Sequence, residues 1–179
     1  MDNVDKSPFR RTAGYHTLMS SNFTAAVLTL SDQGATGKRE DTSGPAVREH
    51  LANLGIDVTD HAIQPDDPDL TVDRLRQWVE TGVSLIVTTG GTGFGPRDNT
   101  PEATRRVIER DAPGLAELMR AEGLRKTPMA ALSRGLCGIA ERTLIVNLPG
   151  SERAVRENLD ALAPVLPHAL QLIGGDTEH

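Results

Sequence analysis

The sequence predicts a three-layer α/β fold with a mostly parallel sheet and helices on both faces. Three short apolar runs, 25–30, 83–89 and 143–148, are typical of strands covered on both sides, and segments of helical period lie between them. Strands that alternate with helices pair in parallel through right-handed crossovers. Ligands of such sheets bind beside the carboxyl ends of strands, so a site is expected in the loops after these runs.

Periodicity and capping residues place the elements of the first half. After the strand at 25–30, a helix begins near the cap residues Thr42 and Ser43 and stops at Gly55, a residue typical of helix ends. Residues 56–63 alternate loosely between apolar and polar and are consistent with a further strand. The predicted order is therefore strand, helix and a possible second strand.

The middle of the chain continues the alternation. A helix over 69–81 has apolar residues at helical spacing, and Trp78 among them is expected in the core. It leads into the strand at 83–89. Asn99 is a capping residue followed by Pro and an acid, which predicts a helix to about Arg110.

Three further elements complete the chain. Residues 113–125 are predicted as a helix, and 143–148 as the third strand. The longest helical pattern covers 151–173, but two prolines lie inside it, so a kink or break is expected near Ala163.

Composition bounds the class of protein. The 179 residues suit one domain, 23–175, after a flexible tail at 1–22, and with only 3% aromatic residues the core must be aliphatic. A net charge of −6 argues against a nucleic-acid partner. No apolar run reaches the roughly 20 residues of a membrane span, and no secretory signal is visible, so no membrane partner and a cytoplasmic location are expected. The lone Cys137 is expected to be a buried apolar side chain.

The loop after the second apolar run has the composition of an anion site. It contains four glycines within residues 90–95, which let backbone N–H groups approach a phosphate closely. The spacing matches neither the dinucleotide fingerprint nor the P-loop. A simple chain reversal is the alternative, but the charged pair Arg97 and Asp98 in the turn favours an anion site.

Three aspartates follow the predicted strands and suggest a hard cation. Asp32, Asp41 and Asp98 are each explained singly as turn or cap residues, but at one sheet edge their repulsion would be relieved by Mg²⁺. Asp41 and Asp98 are the predicted metal ligands, with Asp32 assisting.

Other charged residues are sorted by their surroundings. None of the five histidines shows paired ligand spacing, so none is assigned a metal or catalytic role, and no nucleophile-elbow motif is present. Local positive charge is expected from three loop residues, and three helical arginines are expected to face solvent. The loop residues are Arg97, Lys126 and Arg134, and the helical ones are Arg105, Arg106 and Arg110.

An ordered set of motifs is similar to those of the molybdopterin adenylyltransferases of molybdenum cofactor biosynthesis. The resemblance covers about residues 25–172. Its motifs are LTLSD at 28–32, EDTSGP at 40–45, TGGTGFGPRDNTPEAT at 89–104, PGL at 113–115, LSR at 132–134, NLPG at 147–150 and LPHAL at 166–170. One position departs from the pattern, because Glu152 stands where the family often has Pro.

The resemblance implies that the protein uses Mg²⁺ and ATP to transfer AMP to the terminal phosphate of molybdopterin, commonly as a homotrimer. A molybdate-inserting enzyme is the expected downstream partner. Asp41 and Asp98 match the acidic positions regarded as catalytic. The implied binding residues are Ser31, Asp32, Thr42 and Ser43; Gly90, Gly91, Thr92, Gly93, Phe94 and Arg97 around the pterin phosphate; Pro128, Leu132, Ser133 and Arg134 by the adenylate; and Asn147 and Gly150 at a strand-end turn.

Two alternatives use the same fold. A carrier or sensor would bind molybdopterin without transferring AMP, and should ignore ATP. A pyrophosphatase or amidohydrolase would break down nucleotide without needing the pterin. The two are separated from adenylyl transfer by ATP binding and by the fate of the α-phosphate.

Overall fold

A computed structural model describes residues 23–175, so the predicted tail at 1–22 lies outside the described residues. Strands and helices alternate along most of the chain. The strands are β1 Thr24–Leu30, β2 Asp57–Gln64, β3 Leu85–Thr89, β4 Arg110–Asp111, β5 Cys137–Ala140 and β6 Thr143–Leu148. The helices are α1 Asp32–Ala35, α2 Ser43–Asn53, α3 Pro68–Glu80, α4 Thr100–Arg105, α5 Pro113–Leu124, α6 Glu152–Leu162 and α7 Leu166–Gly174, with a 3₁₀ helix at Pro128–Leu132.

The six strands form one mixed sheet in the order β2-β1-β3-β6-β5-β4. The first four of these are mutually parallel, with Val27 opposite Val87 and Val87 opposite Val146. β5 runs antiparallel to β6, and β4 antiparallel to β5. Because β2 and β3 lie on opposite sides of β1, the strand order switches at β1, and the carboxyl ends of the parallel strands meet there.

Alternate residues of the central strands point to opposite faces, which fixes the three layers. Ala25 and Val27 of β1 pack in the core beneath α2, α5, α6 and α7. Ala26 and Leu28 pack in a second core with Trp78 and neighbouring residues of α3. The sequence-based prediction of a three-layer, mostly parallel α/β fold is therefore confirmed.

Several local predictions are also confirmed. Trp78 is 3% exposed, and its Nε1–H donates to Asp60 at 2.8 Å, which satisfies its polar end inside the core. Cys137 is fully buried. The last helical segment breaks where the prolines predict, since α6 ends at Leu162 and α7 begins at Leu166.

The antiparallel edge was not foreseen. The helix predicted to reach Arg110 ends at Arg105, and Arg110 itself lies in the two-residue strand β4, paired with Ile139 of β5. Arg110 is therefore exposed at a sheet edge, and its assignment to a helix face was wrong. Strands this short carry no periodic signal, and their pairing partner lies about thirty residues away in sequence. No helix within residues 23–175 is both long and apolar enough to cross a membrane.

Candidate functional site

A polar cleft lies where β1 and β3 end, beside the switch in strand order. A cavity of about 260 Å³ lies there between three parts of the chain: the segment from the end of β1 to the start of α2, the end of β3, and the turn after β6. Among its lining residues are Ser31, Thr42, Thr89, Gly150 and Ser151. Of the three loops that follow the predicted strands, those after β1 and β6 line this cavity, whereas the glycine-rich loop after β3 does not contribute to its lining.

Asp41 lines this cavity, and both of its carboxylate oxygens accept hydrogen bonds. Its Oδ1 accepts hydrogen bonds from the N–H of Ser43 at 3.0 Å, the hydroxyl of Ser43 at 2.9 Å and the N–H of Gly44 at 3.0 Å. Its Oδ2 accepts the hydroxyl of Thr29 at 2.7 Å. The side chain is only 6% exposed. Both carboxylate oxygens are thus used to fix the start of α2 against β1.

These bonds also set the charge state of Asp41. Burial alone would raise its pKa, but the N–H of Gly44 and the hydroxyls of Thr29 and Ser43 stabilise the carboxylate, and the net pKa is lowered. Oδ1 already accepts three hydrogen bonds, so a metal ion bound directly by Asp41 would have to use Oδ2, beside the hydroxyl of Thr29 and the ring of His61. The geometry therefore favours an anchoring role for Asp41 over the predicted metal-ligand role.

His61 of β2 was not singled out from the sequence, yet it contacts this network. Its Nε2 lies 3.2 Å from Asp41 Oδ2 and 3.4 Å from Thr29 Oγ1. The parallel pairing of β1 with β2 puts His61 opposite Val27, two residues before Thr29. A lone histidine in a loosely alternating strand carries no spacing signal, so only the strand register could have indicated its place.

A second cluster lies at the ends of β1 and β2. The N–H of Asp32 donates to Asp66 Oδ2 at 3.1 Å, and the N–H of Asp66 donates to Asp32 Oδ1 at 3.1 Å. Arg97 reaches across from the glycine-rich loop, with its Nε 2.6 Å from Asp32 Oδ2 and its Nη2 2.8 Å from Asp32 Oδ1. The predicted phosphate-binding Arg97 is therefore already paired with a carboxylate, and this bidentate bond is the main cause that lowers the pKa of Asp32.

Asp66 is the other residue that the sequence analysis missed. Burial raises its pKa most, and the negative charges of Asp32 and Asp98 raise it further, against opposing contributions from the N–H of Asp32 and from Arg97. An upward shift with such neighbours indicates carboxylates gathered at short range. The adjacent Asp66 and Asp67 were a possible sequence signal for a site, because they lie just after β2. Asp67 caps α3.

The glycine-rich loop after β3 combines a carboxylate with exposed donors. Gly90 and Gly91 adopt positive φ values of 95° and 62°, which only glycine adopts easily, and so turn the chain away from the sheet. Asp98 Oδ2 accepts the N–H of Gly95 at 2.8 Å. Among the residues that the structure describes, the N–H groups from Gly91 to Phe94 have no hydrogen-bond acceptor. These are the groups that an anionic ligand would satisfy.

Two predicted ligand-binding residues are occupied by the protein itself. Asn147 is 1% exposed, and its Nδ2 donates to Thr88 Oγ1 at 3.0 Å and Thr104 Oγ1 at 2.9 Å, so it joins β3, β6 and α4 inside the molecule. Arg134 donates to Gly93, Asp98 and Glu102. Direct contact of either side chain with a ligand is not supported by this geometry.

Most of the remaining predicted residues lie in exposed segments outside the lining of the cavity. Phe94 is 69% exposed at the tip of the glycine-rich loop. Pro128 and Leu132 bound the exposed 3₁₀ helix, and Ser133 ends it. Of the positively charged residues, Lys126 pairs with Glu157, while Arg105 and Arg106 form exposed ion pairs as expected for a solvated face.

The donor set fits Mg²⁺ only if substrate completes it. Within residues 23–175, no three His, Cys, Asp or Glu side chains form a group that could hold a metal ion. Asp66 and Asp98, however, each have one carboxylate oxygen that receives no hydrogen bond from the described residues. Mg²⁺ commonly binds one or two carboxylates and fills its octahedron with water and substrate phosphates. Two such oxygens beside unsatisfied N–H groups match that pattern.

Comparisons with known proteins agree with this architecture. The family described as "Probable molybdopterin binding domain" matches residues 26–168. A protein named molybdopterin adenylyltransferase from Helicobacter pylori J99 is 41% identical over 153 residues, which cover 84% of this chain and 87% of that protein. The molybdenum cofactor synthesis protein cinnamon of Drosophila melanogaster is 47% identical over 160 residues, but they cover 87% of this chain and only 26% of the much longer fly protein.

Solved structures show the same fold. The crystal structure of the molybdopterin biosynthesis enzyme MoaB from Thermus thermophilus superposes with a TM-score of 0.82 at 55% identity, covering 86% of this chain and 97% of that one. The Mog protein from Mycobacterium ulcerans gives a TM-score of 0.80 at 43% identity, covering 84% and 99%.

Proposed function

Since the chain belongs to the family of probable molybdopterin-binding domains, we propose that it is a molybdopterin adenylyltransferase, which transfers AMP from ATP to the terminal phosphate of molybdopterin and releases pyrophosphate. The observation that carries the proposal is the cleft at the carboxyl ends of β1 and β3. Beside it, in the glycine-rich loop after β3, the N–H groups of Gly91–Phe94 have no acceptor among the described residues and lie next to the carboxylates of Asp66 and Asp98.

The chemistry suits these residue types. The nucleophile is a phosphate oxygen that is already anionic at neutral pH, so no general base is needed. It forms a bond to the α-phosphorus of ATP while the bond from that phosphorus to the bridging oxygen of the β-phosphate breaks, and pyrophosphate leaves with that oxygen. The barrier is repulsion between anions and their alignment, which positioned donors and positive charge reduce.

Asp98 and Asp66 are the residues that would hold Mg²⁺, directly or through water, with Asp32 steadying Asp66 through their paired hydrogen bonds. Bound there, the cation would neutralise phosphate charge as pyrophosphate departs. The N–H groups of the glycine-rich loop would bind the pterin phosphate. Asp41, which the sequence analysis placed at the metal, would act by holding the start of α2 in position at the cavity.

Self-association as a homotrimer is part of the proposal. Leu124, Met129 and Leu132 are 51%, 62% and 45% exposed on and around the 3₁₀ helix, an apolar group that an interface between copies would cover. Light scattering after gel filtration measures the mass directly. A trimer has three times the 19.2 kDa of one chain.

The function is tested by incubating the purified protein with molybdopterin, ATP and Mg²⁺ and measuring both products. We expect adenylylated molybdopterin and pyrophosphate in equal amounts, and neither without the pterin. A carrier would bind molybdopterin and leave ATP intact. A hydrolase would consume ATP or another nucleotide without the pterin.

A further inference from the structure

Arg134 binds the glycine-rich loop at several points from outside it. It follows the 3₁₀ helix, more than thirty residues from the loop in sequence. Its backbone N–H donates to Thr92 O at 2.8 Å, and its side-chain Nε donates to Gly93 O at 2.7 Å. Its Nη2 donates to Asp98 O, and its Nη1 pairs with Glu102. Every contact is thus made with the loop or with the helix that directly follows it.

The contacts of Arg134 connect the two sides of the tip of the glycine-rich loop, residues 93–98. Inside the loop, the bonds that define its shape are from Asp98 N to Gly95 O at 3.0 Å and from Gly95 N to Asp98 Oδ2 at 2.8 Å. Arg134 adds bonds to the carbonyls of residues 93 and 98, on either side of the tip. A planar guanidinium fixes the spacing of two acceptors, which a single ammonium group cannot do. The side chain is 34% exposed, so these bonds are partly protected from water.

The same geometry engages three of the five N–H groups of the guanidinium. All three of its nitrogens already donate to protein acceptors, and its charge is paired with the carboxylate of Glu102. A substrate phosphate would have to compete with these partners. Direct binding of nucleotide by Arg134, as implied by the family resemblance, would compete with the bond that holds Asp98.

We propose that Arg134 is a positioning residue for adenylyl transfer: it holds residues 93 and 98 at a fixed spacing, so that the Asp98 carboxylate stays beside the loop N–H groups that have no acceptor among the described residues. The residue acts through the loop and does not touch the reacting atoms. This proposal rests on the proposed function for its effect on rate, but the loop restraint exists in the free protein.

The first test uses the protein without substrates. Amide hydrogen exchange is measured in wild type, Arg134→Lys, Arg134→Gln and the control Arg105→Gln, which removes an exposed ion pair on α4. Both Arg134 variants should raise exchange of the hydrogen-bonded amides of Gly95 and Asp98 by about tenfold and leave the central strands unchanged, because only a local opening becomes easier. Unchanged exchange in this loop would overturn the proposal, whatever the protein catalyses.

The second test is kinetic and separates positioning from substrate binding. Arg134→Lys should lower kcat by about 100-fold, close to the loss in Arg134→Gln, because a displacement of about 1 Å has that effect. The KM values for ATP and molybdopterin should stay within about threefold of wild type. If Arg134→Lys keeps its kcat and the main change is a higher KM, Arg134 binds substrate and the proposal fails.

A third variant separates the ion pair of Arg134 with Glu102 from its bonds to the loop carbonyls. Glu102→Gln removes the charge partner but leaves the bonds to Gly93 and Asp98, so its kcat should fall by no more than about threefold. An equal loss in Glu102→Gln and Arg134→Lys would contradict positioning through the loop carbonyls. Wild-type protein that makes no adenylylated product would refute the proposed function, whereas the exchange result would still report on the loop.

Discussion

Asp32 and Asp66 exchange two hydrogen bonds, each backbone N–H donating to the other's carboxylate at 3.1 Å. This pair joins the end of β1 to the end of β2 and brings two carboxylates together in a half-buried position. Arg97 compensates Asp32, whereas the pKa of Asp66 stays raised by burial and by the charges of Asp32 and Asp98. The arrangement is costly for an unliganded protein and useful for one that binds a cation with a polyphosphate.

The first prediction concerns the carboxylates of Asp66 and Asp98, which are proposed to hold Mg²⁺. Asp66→Asn and Asp98→Asn each remove one carboxylate with a free oxygen, so the rate of adenylyl transfer should fall by at least about 100-fold. The rate is measured against Mg²⁺ concentration, with Arg105→Gln as the matched exposed control. Molybdopterin binding should survive in both variants. Wild-type rates in either one would remove that residue from the proposed metal site.

Asp66→Asn should also stabilise the protein at neutral pH. A carboxyl whose folded pKa is raised lowers stability as the pH rises from about 4 through the folded pKa. Asparagine removes the charge and can still accept the N–H of Asp32. Urea unfolding at pH 7 should therefore give a larger free energy of unfolding than wild type, with the difference absent near pH 3. A lower free energy of unfolding for Asp66→Asn than for wild type at pH 7 would show that the charge of Asp66 does not destabilise the folded protein.

Asp41 should behave in the opposite way. Its lowered folded pKa means that its contribution to stability is present above about pH 4 and is lost as the pH falls through the folded value. Asp41→Ala leaves the N–H groups of Ser43 and Gly44 without their acceptor, which should cost about 2 kcal/mol at pH 7. Urea titrations between pH 7 and pH 3 measure this. A stability equal to wild type at pH 7 would exclude the anchoring role.

Gly44 tests the packing around Asp41. A methyl group at this position would collide with the carboxylate of Asp41 and the ring of His61. Gly44→Ala should therefore lower the free energy of unfolding by about 1–3 kcal/mol. Gly114→Ala is the control, because a Cβ there meets nothing within 4 Å, and it should be neutral or slightly stabilising. Equal melting temperatures for the two variants would show that the site tolerates expansion.

Cys137 should be unreactive in the folded protein. It is buried, and burial raises the pKa of its thiol to about 12, so almost no thiolate is present at pH 8. A thiol reagent such as DTNB should label it only after denaturation. Labelling of the native protein within minutes would mean that β5 opens readily.

The parallel half of the fold could be predicted from the sequence because its signals are local. Runs such as 25–30 and 143–148 are mostly apolar with no polar alternation, and buried parallel strands are typically of that kind. β4 and β5 were not predicted, because strands of two and four residues are too short to show a hydrophobic period. Their pairing also depends on contacts made after the chain has folded.

The sequence predicts a site at the carboxyl ends of the strands, where the cavity lies, but it does not single out Asp66 or His61. Residue types in loops indicate chemistry, whereas hydrogen-bond saturation is visible only in three dimensions. Asp41 and Asn147 look like ligand-binding residues in a motif, yet internal donors and acceptors occupy both. Asp66 and His61 belong to no recognised motif. The pairing of β1 with β2 brings His61 beside Asp41, and the segment after β2 brings Asp66 beside Asp32.

Following the two ends of ATP tests adenylyl transfer most directly. The protein is incubated with molybdopterin and Mg²⁺, once with ATP labelled at the α-phosphate and once at the γ-phosphate. We predict that α-label enters the pterin product and γ-label leaves as pyrophosphate, and that Asp98→Asn abolishes both. Pterin that binds without acquiring α-label, or γ-label released as inorganic phosphate, would contradict adenylyl transfer.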